Sequence, residues 1–357
     1  MKPLPSRTCA PSLLAQPACP FRSVPGLRAS LLVRTLVFAL APIAPFVSLL
    51  PPPLSAAPVA AQLESLTGAH TRIVWTQSPL GSRDYVGASG GFTLWGLDSG
   101  AGQSARQILA TPRSYSRPLI TPDGQQVVYS DRTTKITRIV SWDGSLDRDF
   151  AYGFAASVWR DPATAIQWVY LRSGDGTSND PIERRRLDQP GVVEPVYSAT
   201  PNGHPAMPWF RLSADGTRAA DAFPWPRCGF VDVPAGTSTV ISKGCWPSMC
   251  PDNSYRFFVF HGNHRVVSMF DSGGTNKRDI PLNTAPGVDG DDIYFPHWSN
   301  HPRFFTMTGP GVGGDRANLY LGQFDPAFTK VERWVQITND QRGDFFGDAW
   351  IAPTPPS

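Results

Sequence analysis

The stretch LITPDGQQVVYS at residues 119–130 contains the pattern that decides the fold. An apolar pair leads into a tight turn at Asp123 and Gly124, and a strand rich in valine and tyrosine follows the turn. A turn of this kind joins antiparallel strands and needs a positive φ, which glycine adopts without steric cost. The stretch therefore predicts a short strand, a tight turn and a longer buried strand.

The same pattern recurs along the chain at intervals of about 40–50 residues, which is the period of a four-stranded propeller blade. Its other copies are RLSADGTRAADAF from 211, SMCPDNSYRFFVF from 248, WSNHPRFFTM from 298 and the weaker VWRDPATAIQWVY from 158. Segments such as SWDGSLDRDF at 141–150 follow the strong strands and fit the outer hairpin of a blade. The period is too long for a coiled coil or a leucine-rich repeat.

The composition favours an all-β chain. The 357 residues include 11 Trp, 20 Phe, 37 Pro and 32 Gly, and only 17% of them are charged. Such a composition is typical of short aromatic strands that are separated by turns. None of the apolar runs in the repeat region has the i, i+3, i+4, i+7 spacing of an amphipathic helix.

The two ends of the repeat region complement each other. RIVWTQ at 72–77 indicates a second strand with no inner strand before it, and GDAWIAP at 347–353 supplies a lone inner strand. Their pairing would close a ring and protect its edges. We therefore predict an all-β fold, with a single β-propeller of about six four-stranded blades over residues 72–353 that is closed by the N- and C-terminal strands. Residues 354–357 are expected to form a disordered tail.

The turn motif resembles the repeat of TolB-type propellers, in which a small residue precedes Pro-Asp-Gly and an aliphatic or aromatic strand. Residues 121–124 (TPDG) match this repeat in full, whereas 213–216 (SADG) and 250–253 (CPDN) match it in part. The copies at 158 and 298 depart further, which leaves six or seven blades open. The resemblance covers most of residues 72–353 and implies a TolB-like fold. It implies no single activity, because propellers with this repeat include binding modules, peptidase accessory domains and lyases.

Residues 1–61 have the layout of a secretory signal peptide. An n-region at 1–35 precedes an apolar run at 36–50, and the small residues Val59 and Ala61 favour cleavage near residue 61. The apolar run is shorter than the roughly 20 residues that span a bilayer, so we expect no stable membrane span after cleavage. The prediction is a secreted or periplasmic protein in which residues 62–71 form a short linker.

The charge balance argues against a nucleic-acid partner. The leader has no acidic residue, and its basic residues are Lys2, Arg7, Arg22, Arg28 and Arg34. The rest of the chain keeps 27 basic residues against 29 acidic ones, which gives no electrostatic footprint for a phosphate backbone. We expect a monomer with a protein or carbohydrate ligand.

Histidines are the candidate ligand-binding residues, namely His204, His261, His264, His297 and His301. If neighbouring blades bring them together at the central channel, their imidazoles could hold a divalent metal ion. Oligogalacturonate lyases have a similar propeller with a histidine-bound manganese ion, but their metal motif is not matched here residue by residue. The other interpretation is that each histidine caps a turn or packs against an aromatic ring.

Two acidic loops, a basic run and several tryptophans are further candidates. Asp289, Asp291 and Asp292 in one loop, and Asp175 and Asp180 in another, could offer oxygen ligands to calcium, but neither loop has EF-hand spacing and both fit solvated loop tips. The run ERRR at 183–186 indicates a charged outer edge strand or an anion site. The tryptophans fit sugar stacking or packing between blades, and they are Trp209, Trp225, Trp246, Trp298 and Trp350.

Three cysteines follow the leader: Cys228, Cys245 and Cys250. An oxidising compartment would allow at most one disulfide among them. We prefer a bond from Cys228 to Cys245, because Cys245 to Cys250 would close a very small loop. The alternative is that all three are small buried hydrophobic residues.

No catalytic motif stands out in the chain. It lacks a phosphate-binding loop, and the glycine-rich run GPGVGG at 309–314 leads into a strand and not into the helix start of a dinucleotide site. We therefore assign no catalytic residue and no cofactor, apart from the divalent metal considered at the histidines. The leading hypothesis is a non-catalytic binding or scaffold module for a protein or carbohydrate ligand. The alternative is a metal-dependent polysaccharide lyase or hydrolase that uses histidines of the central channel.

Overall fold

The computed structural model describes residues 58–82, 84–100, 104–174, 181–197, 209–223, 226–311 and 317–353. The predicted n-region, apolar run and tail lie outside these ranges, as do His204, Asp175, Asp180 and Trp225. The described residues form one helix and 24 strands. Among them, no helix has both the length and the apolar character that crossing a membrane requires.

The helix α1 spans Val59–Thr67, and short strands follow it to the end of the described chain. The first twelve strands are β1 (Thr71–Gln77), β2 (Phe92–Asp98), β3 (Arg106–Arg113), β4 (Tyr115–Ile120), β5 (Gln126–Asp131), β6 (Ile136–Ser141), β7 (Asp147–Tyr152), β8 (Phe154–Arg160), β9 (Gln167–Arg172), β10 (Ile182–Arg186), β11 (Val193–Tyr197) and β12 (Arg211–Leu212). The second twelve are β13 (Arg218–Ala222), β14 (Arg227–Asp232), β15 (Thr237–Lys243), β16 (Cys245–Met249), β17 (Phe257–Phe260), β18 (Val266–Phe270), β19 (Arg278–Pro281), β20 (Tyr294–Trp298), β21 (Phe304–Gly309), β22 (Asn318–Phe324), β23 (Val331–Gln336) and β24 (Asp344–Ile351).

The strands form six antiparallel sheets of four strands each. From the inside outward, blade 1 contains β24, β1, β2 and β3, and blades 2 to 6 take the remaining strands four at a time in chain order. Each inner strand also contacts the inner strands of the two adjacent blades, so the sheets form a ring. The predicted all-β propeller is therefore confirmed, and its blade count is six.

The ring closes where β24 pairs with β1, as the sequence of the two ends predicts. At one end of this seam, the indole N–H of Trp75 donates to Asp344 Oδ1 over 2.8 Å. The side-chain amide of Gln77 donates to the same oxygen over 3.0 Å. Asp344 is fully buried, so these donors replace the water that its carboxyl group has lost.

Aromatic side chains fill the space between adjacent blades. Phe230 of blade 4 meets Phe257 of blade 5 with ring centroids 5.9 Å apart. Phe258 of blade 5 stacks on Trp298 of blade 6 at 5.0 Å. Such contacts combine a large buried apolar area with a favourable ring geometry. They explain why the strand after each turn motif is rich in aromatic residues.

The aspartate of the turn motif accepts hydrogen bonds from its own turn and from the next blade. In blade 2, Asp123 Oδ1 accepts the backbone N–H of Gln125 over 3.0 Å and shapes its own turn. Its Oδ2 accepts the amide of Gln167 in blade 3 over 2.8 Å. In blade 4, Asp215 Oδ2 likewise accepts the hydroxyl of Tyr255 in blade 5 over 2.5 Å. The repeated aspartate thus fixes both the turn and the position of the next blade.

The glycine of the turn motif contacts the preceding blade. Trp159, near the end of strand β8, donates its indole N–H to the carbonyl oxygen of Ala214 in blade 4 over 2.9 Å. Its ring lies against Gly216, where φ is 72° and an added Cβ would come within 2.6 Å of the ring. Trp350 and Gly124 make the same contact between blades 1 and 2. A glycine is therefore needed both for the backbone conformation and for the space that the tryptophan occupies.

The helix α1 occupies most of the segment for which a short linker over residues 62–71 is predicted. Ala60, Leu63 and Leu66 recur at a spacing of three residues, so they share one face, and all three are buried in the core. Gly68 ends the helix in the left-handed conformation. The predicted cleavage position near residue 61 falls inside this helix, and the signal peptide itself stays a prediction.

The predicted disulfide between Cys228 and Cys245 is wrong. Cys228, Cys245 and Cys250 form no disulfide, and all three are buried. Cys228 Sγ lies 3.4 Å from the carbonyl oxygen of Gly244, and burial raises the pKa of this thiol and of the Cys250 thiol. The cysteines therefore act as small core residues, which was the alternative interpretation.

The contact between Trp159 and Gly216 predicts a difference between two glycine substitutions in blade 4. Gly236→Ala adds a methyl group at a positive φ with no atom within 4 Å, so only the conformational cost of about 1 kcal/mol is expected. Gly216→Ala adds a clash with the indole, so it should lower the free energy of unfolding by about 1–3 kcal/mol more than Gly236→Ala does. Urea unfolding measures both, and equal midpoints for the two variants would contradict the contact.

The ring seam predicts a pH dependence of stability. Burial raises the pKa of Asp344 to about 7 from 3.8, so the folded protein holds a proton that the unfolded chain has lost between these values. Stability should therefore fall as the pH rises through this window. Asp344→Asn should flatten part of this slope when urea midpoints are compared at pH 5 and pH 8. Asp279→Asn, at an exposed carboxylate, is the control, and a flattening as large in that variant would refute the assignment.

Candidate functional site

The candidate site lies on the axis of the ring, where the six inner strands converge. All six run in the same direction, so their last residues gather at one mouth. Here they line a funnel of about 250 Å³ to which every blade contributes. Its lining includes Pro122, Trp159, Arg160, Arg211, Ala214, Pro251, Asn300, Asp348 and Trp350.

Below the funnel, four titratable side chains from the inner strands β4, β12, β20 and β24 form what we call the neck, consisting of Arg117, Arg211, His297 and Asp348. Asp348 Oδ2 accepts the backbone N–H of Ile120 over 2.7 Å, and Asp348 Oδ1 lies 3.2 Å from His297 Nδ1. Arg211 Nη2 donates to the carbonyl oxygen of a serine in blade 6 over 2.7 Å. His297 Nε2 is buried without a hydrogen-bond partner among the described residues.

The neck carries more positive than negative charge. Burial lowers the pKa of His297 to about 4, with the nearby Arg211 acting in the same direction against Asp348, so this ring is neutral at physiological pH. Burial also lowers the pKa of Arg117, to about 10, which still leaves it charged. Asp221, which acts on Arg117 from blade 4, has a pKa raised to about 7 by burial. The four neck side chains therefore combine two guanidinium groups and a neutral imidazole with a single carboxyl group.

The opposite side of the neck is closed by aromatic rings. Trp209, Trp246, Phe295 and Phe346 surround a space of only about 20 Å³ there. The rings of Phe295 and Phe346 are 4.2 Å apart between their centroids. We call these four residues the aromatic plug.

Bulges in the inner strands place the plug and part of the neck. At Arg117, Trp246, Phe295 and Phe346 the register of the inner strand shifts, and φ lies between 39° and 55°. A bulge re-aims a side chain that would otherwise lie on the face of the sheet. Non-glycine residues in this left-handed region cost energy, and such strain is concentrated at functional sites. The four bulges thus identify the axis as the specialised part of the ring.

The structure does not bring the predicted histidines together. His261 and His264 lie in the turn between β17 and β18, at the end opposite the funnel, and His264 packs against Trp246 and other rings. His301 lies at the funnel end, in the turn that follows β20, where its Nδ1 accepts a backbone N–H. Of the described histidines named here, His297 alone lines the axial channel. Within residues 58–353 as described, no three His, Cys, Asp or Glu side chains are grouped as a metal site.

The other sequence candidates have structural partners. The ERRR run forms β10, the third strand of blade 3, so the prediction of an outer edge strand is wrong. Arg184 pairs with Glu194 on β11, and the next two arginines pair with acidic neighbours in the sequence. In the acidic loop, Asp292 lies 3.1 Å from Arg265. The described tryptophans pack between or within blades, because Trp298 is fully buried and Trp350 is 8% exposed.

Arg117, Arg211 and Asp348 were not among the sequence candidates. A signal for the bulge positions is nevertheless present, because Pro118, Pro247 and Pro296 each lie three residues before the first residue of a turn motif. Aligning the copies on these prolines would have identified the residue before each one as axial. Arg211 and Asp348 have no such marker, and their role depends on the neighbours that the closed ring supplies.

The neck predicts a large effect for a small change at Asp348. Asp348→Asn removes the charge that compensates two buried guanidinium groups, and breaking a buried pair in this way typically costs about 3–5 kcal/mol. The exposed pair of Lys277 and Asp279 offers a control, since Asp279→Asn should cost less than about 1 kcal/mol. Urea unfolding midpoints compare the two variants. An Asp348→Asn variant as stable as the unmodified protein would show that the neck arginines do not depend on the charge of Asp348.

Comparisons with known proteins address the fold alone. A scan against protein-family models found no match, and a search of curated proteins found none either. TolB from Acinetobacter baumannii is a similar solved structure, with a TM-score of 0.55 and 15% identity over 81% of this chain and 70% of that chain. A structure assigned as TolB from Agrobacterium tumefaciens has a TM-score of 0.47 and 14% identity over 80% and 99%. An oligogalacturonate lyase in complex with manganese has a TM-score of 0.40 and 15% identity over 62% and 64%. The described chain therefore has a TolB-like fold, a closed β-propeller of six four-stranded blades.

Proposed function

We propose that this chain is a non-catalytic binding propeller that holds an anionic segment of a partner protein in its axial funnel. The observation that carries this proposal is the charge of the neck, where the buried Arg211 lines the base of an open funnel and Arg117 lies behind it. Arg160 adds an exposed positive charge to the funnel lining. A carboxylate that enters from solvent would meet donors of increasing burial, and electrostatic attraction strengthens as water is excluded.

The size of the funnel suits a side chain or a chain end. At about 250 Å³ it lies just below the usual range for pockets that enclose a complete small molecule. The arginines also suit a carboxylate, because a guanidinium group offers a planar pair of donors that matches two carboxylate oxygens. A flexible acidic segment of a protein would satisfy both conditions.

A carbohydrate ligand receives less support from the funnel. Sugar stacking needs an exposed aromatic face, but the indole of Trp159 is packed against Gly216 and that of Trp350 against Gly124. Both indole N–H groups are also used between blades. The metal-dependent lyase or hydrolase has no supporting group of ligands among the described residues.

Export remains part of the proposal. The leader at residues 1–61 motivates a periplasmic or secreted location, where the partner would also reside. The near neutral charge of the remaining chain fits a partner that is recognised by one local site rather than by a general surface field.

The binding proposal predicts that two exposed arginines differ in their effect on peptide affinity. Arg160→Gln should weaken binding of a fluorescein-labelled tetraglutamate peptide by about 3- to 10-fold, because it removes up to about 1.4 kcal/mol of attraction at the funnel. Arg265→Gln, at the other end of the ring, should leave the affinity unchanged. Fluorescence anisotropy at low and moderate salt measures both.

A tetralysine peptide is the control ligand for this experiment. Equal binding of the two peptides, or equal loss in the two variants, would show that the funnel does not select anions.

A further inference from the structure

The outer strand of blade 4, β15, differs from the outer strands of the other five blades. Three of those contain a proline, and two carry charged residues within the strand. The prolines are Pro112 in β3, Pro195 in β11 and Pro281 in β19, and the charges are Asp147, Arg148 and Asp149 in β7 and Glu332 and Arg333 in β23. Proline and charge on an edge strand hinder pairing with another strand. The five edges are therefore protected, whereas β15 has the sequence TSTVISK with its one charge at the end.

Residues 237–240 form the unprotected part of β15. They pair regularly with β14, from Thr237 opposite Asp232 to Val240 opposite Gly229, and the register shifts only beyond Val240. All four are exposed, and Val240 has 46% of its surface accessible. Among the described residues, the backbone of this run makes no hydrogen bond outside its own sheet. Its outward N–H and C=O groups are therefore available to a further strand.

The C-terminal end of this edge is positively charged. Arg227 at the start of β14 lies opposite Lys243 at the end of β15, and both are exposed. At the other end, Asp232 caps its own turn by accepting the backbone N–H of Ala235 over 3.2 Å. A strand that pairs with β15 would therefore meet two cations at the end where β15 finishes.

We propose that residues 237–240 bind an extended segment of a partner protein by adding it as a fifth strand to blade 4. The segment runs antiparallel to β15, which is the more stable pairing, and carries an acidic residue just before an uncharged, β-branched run. The antiparallel direction places this acidic residue beside Lys243, with Arg227 of β14 one strand further in. The alternating exposed side chains of β15 offer threonine and valine to cross-strand neighbours of the same kind.

A second copy of this chain is a poorer occupant of the edge. A stable dimer needs about 20–30 residues on each side, whereas β15 has seven residues in all. An edge of this length matches a peptide strand. The surface is also separate from the axial funnel, so the inference does not depend on the function proposed for the funnel.

The test uses a labelled, acetylated and amidated peptide with two aspartates followed by alternating threonine and valine. Fluorescence anisotropy with the purified full chain should show saturable binding. Val240→Lys should weaken this binding at least 5-fold, and Ser238→Lys is the second variant if the first does not fold. Val193→Lys in β11 is the matched control, because Val193 is 42% exposed on an outer strand that already contains a glutamate and a proline. A loss of affinity in Arg160→Gln as large as that in Val240→Lys would place the peptide in the funnel and overturn the inference.

Two altered peptides test the mode of binding. N-methylation of alternate backbone amides removes the donors of one edge and should abolish binding, while lysines in place of the aspartates should weaken it about 10-fold. The inference is overturned if the N-methylated peptide binds as well as the parent, if Val193→Lys loses as much affinity as Val240→Lys, or if no binding occurs at millimolar peptide. A concentration-dependent dimer that Val240→Lys disperses would assign the edge to a second copy and overturn the inference as well.

Discussion

The contact between the turn motif and the preceding blade is the interaction on which the ring depends. A four-stranded sheet cannot bury both of its faces alone, so each blade is stable only when its neighbours lie at a fixed distance and angle. Trp159 sets both when its ring packs on Gly216 and its N–H binds the carbonyl of Ala214. The turn aspartate transmits the same constraint to the next blade through its second oxygen. Because these contacts surround the mouth, they also give the funnel its rigid wall.

The neck shows what such a rigid wall permits. Burying a guanidinium group costs several kcal/mol unless an opposite charge and hydrogen bonds compensate for the lost water. Arg211 donates to a carbonyl oxygen and is attracted by Asp348, which itself accepts a backbone N–H. The compensation is incomplete because the positive groups outnumber the negative ones and His297 stays neutral. A ring that could relax would expel or pair these groups, whereas a ring locked at its turns retains them. The edge of blade 4 differs from the neck, because residues 237–240 offer backbone groups and the charges of Arg227 and Lys243 lie only at its end.

Much of the fold was readable from local patterns, and most of the site was not. TPDG at 121–124 forms a turn that depends only on its own residues, so the blades could be predicted from the repeat. GDAWIAP forms a strand with no partner nearby in the sequence, so the closure of the ring could be predicted as well. The ERRR run was misplaced because its charges pair within one blade on an internal strand. The histidines are candidates as a residue type, but strand order puts His261 and His264 in a turn at one end of the ring and His301 in a turn at the other. Asp348 matters because of Ile120 and His297, which lie far from it in the chain.

The seam between β24 and β1 determines when the ring can close during synthesis. The innermost strand of blade 1 is β24, the last strand of the described chain. Blade 1 is therefore complete only after this last segment has been synthesised. Until residues 344–351 emerge, β1 has an open inner side and the axis lacks Phe346 and Asp348. Blades 2 to 6 can each form as their own residues appear, because their strands are contiguous. A nascent chain would therefore remain an open arc with an exposed interior during most of its synthesis, and only its final segment would convert it into a ring.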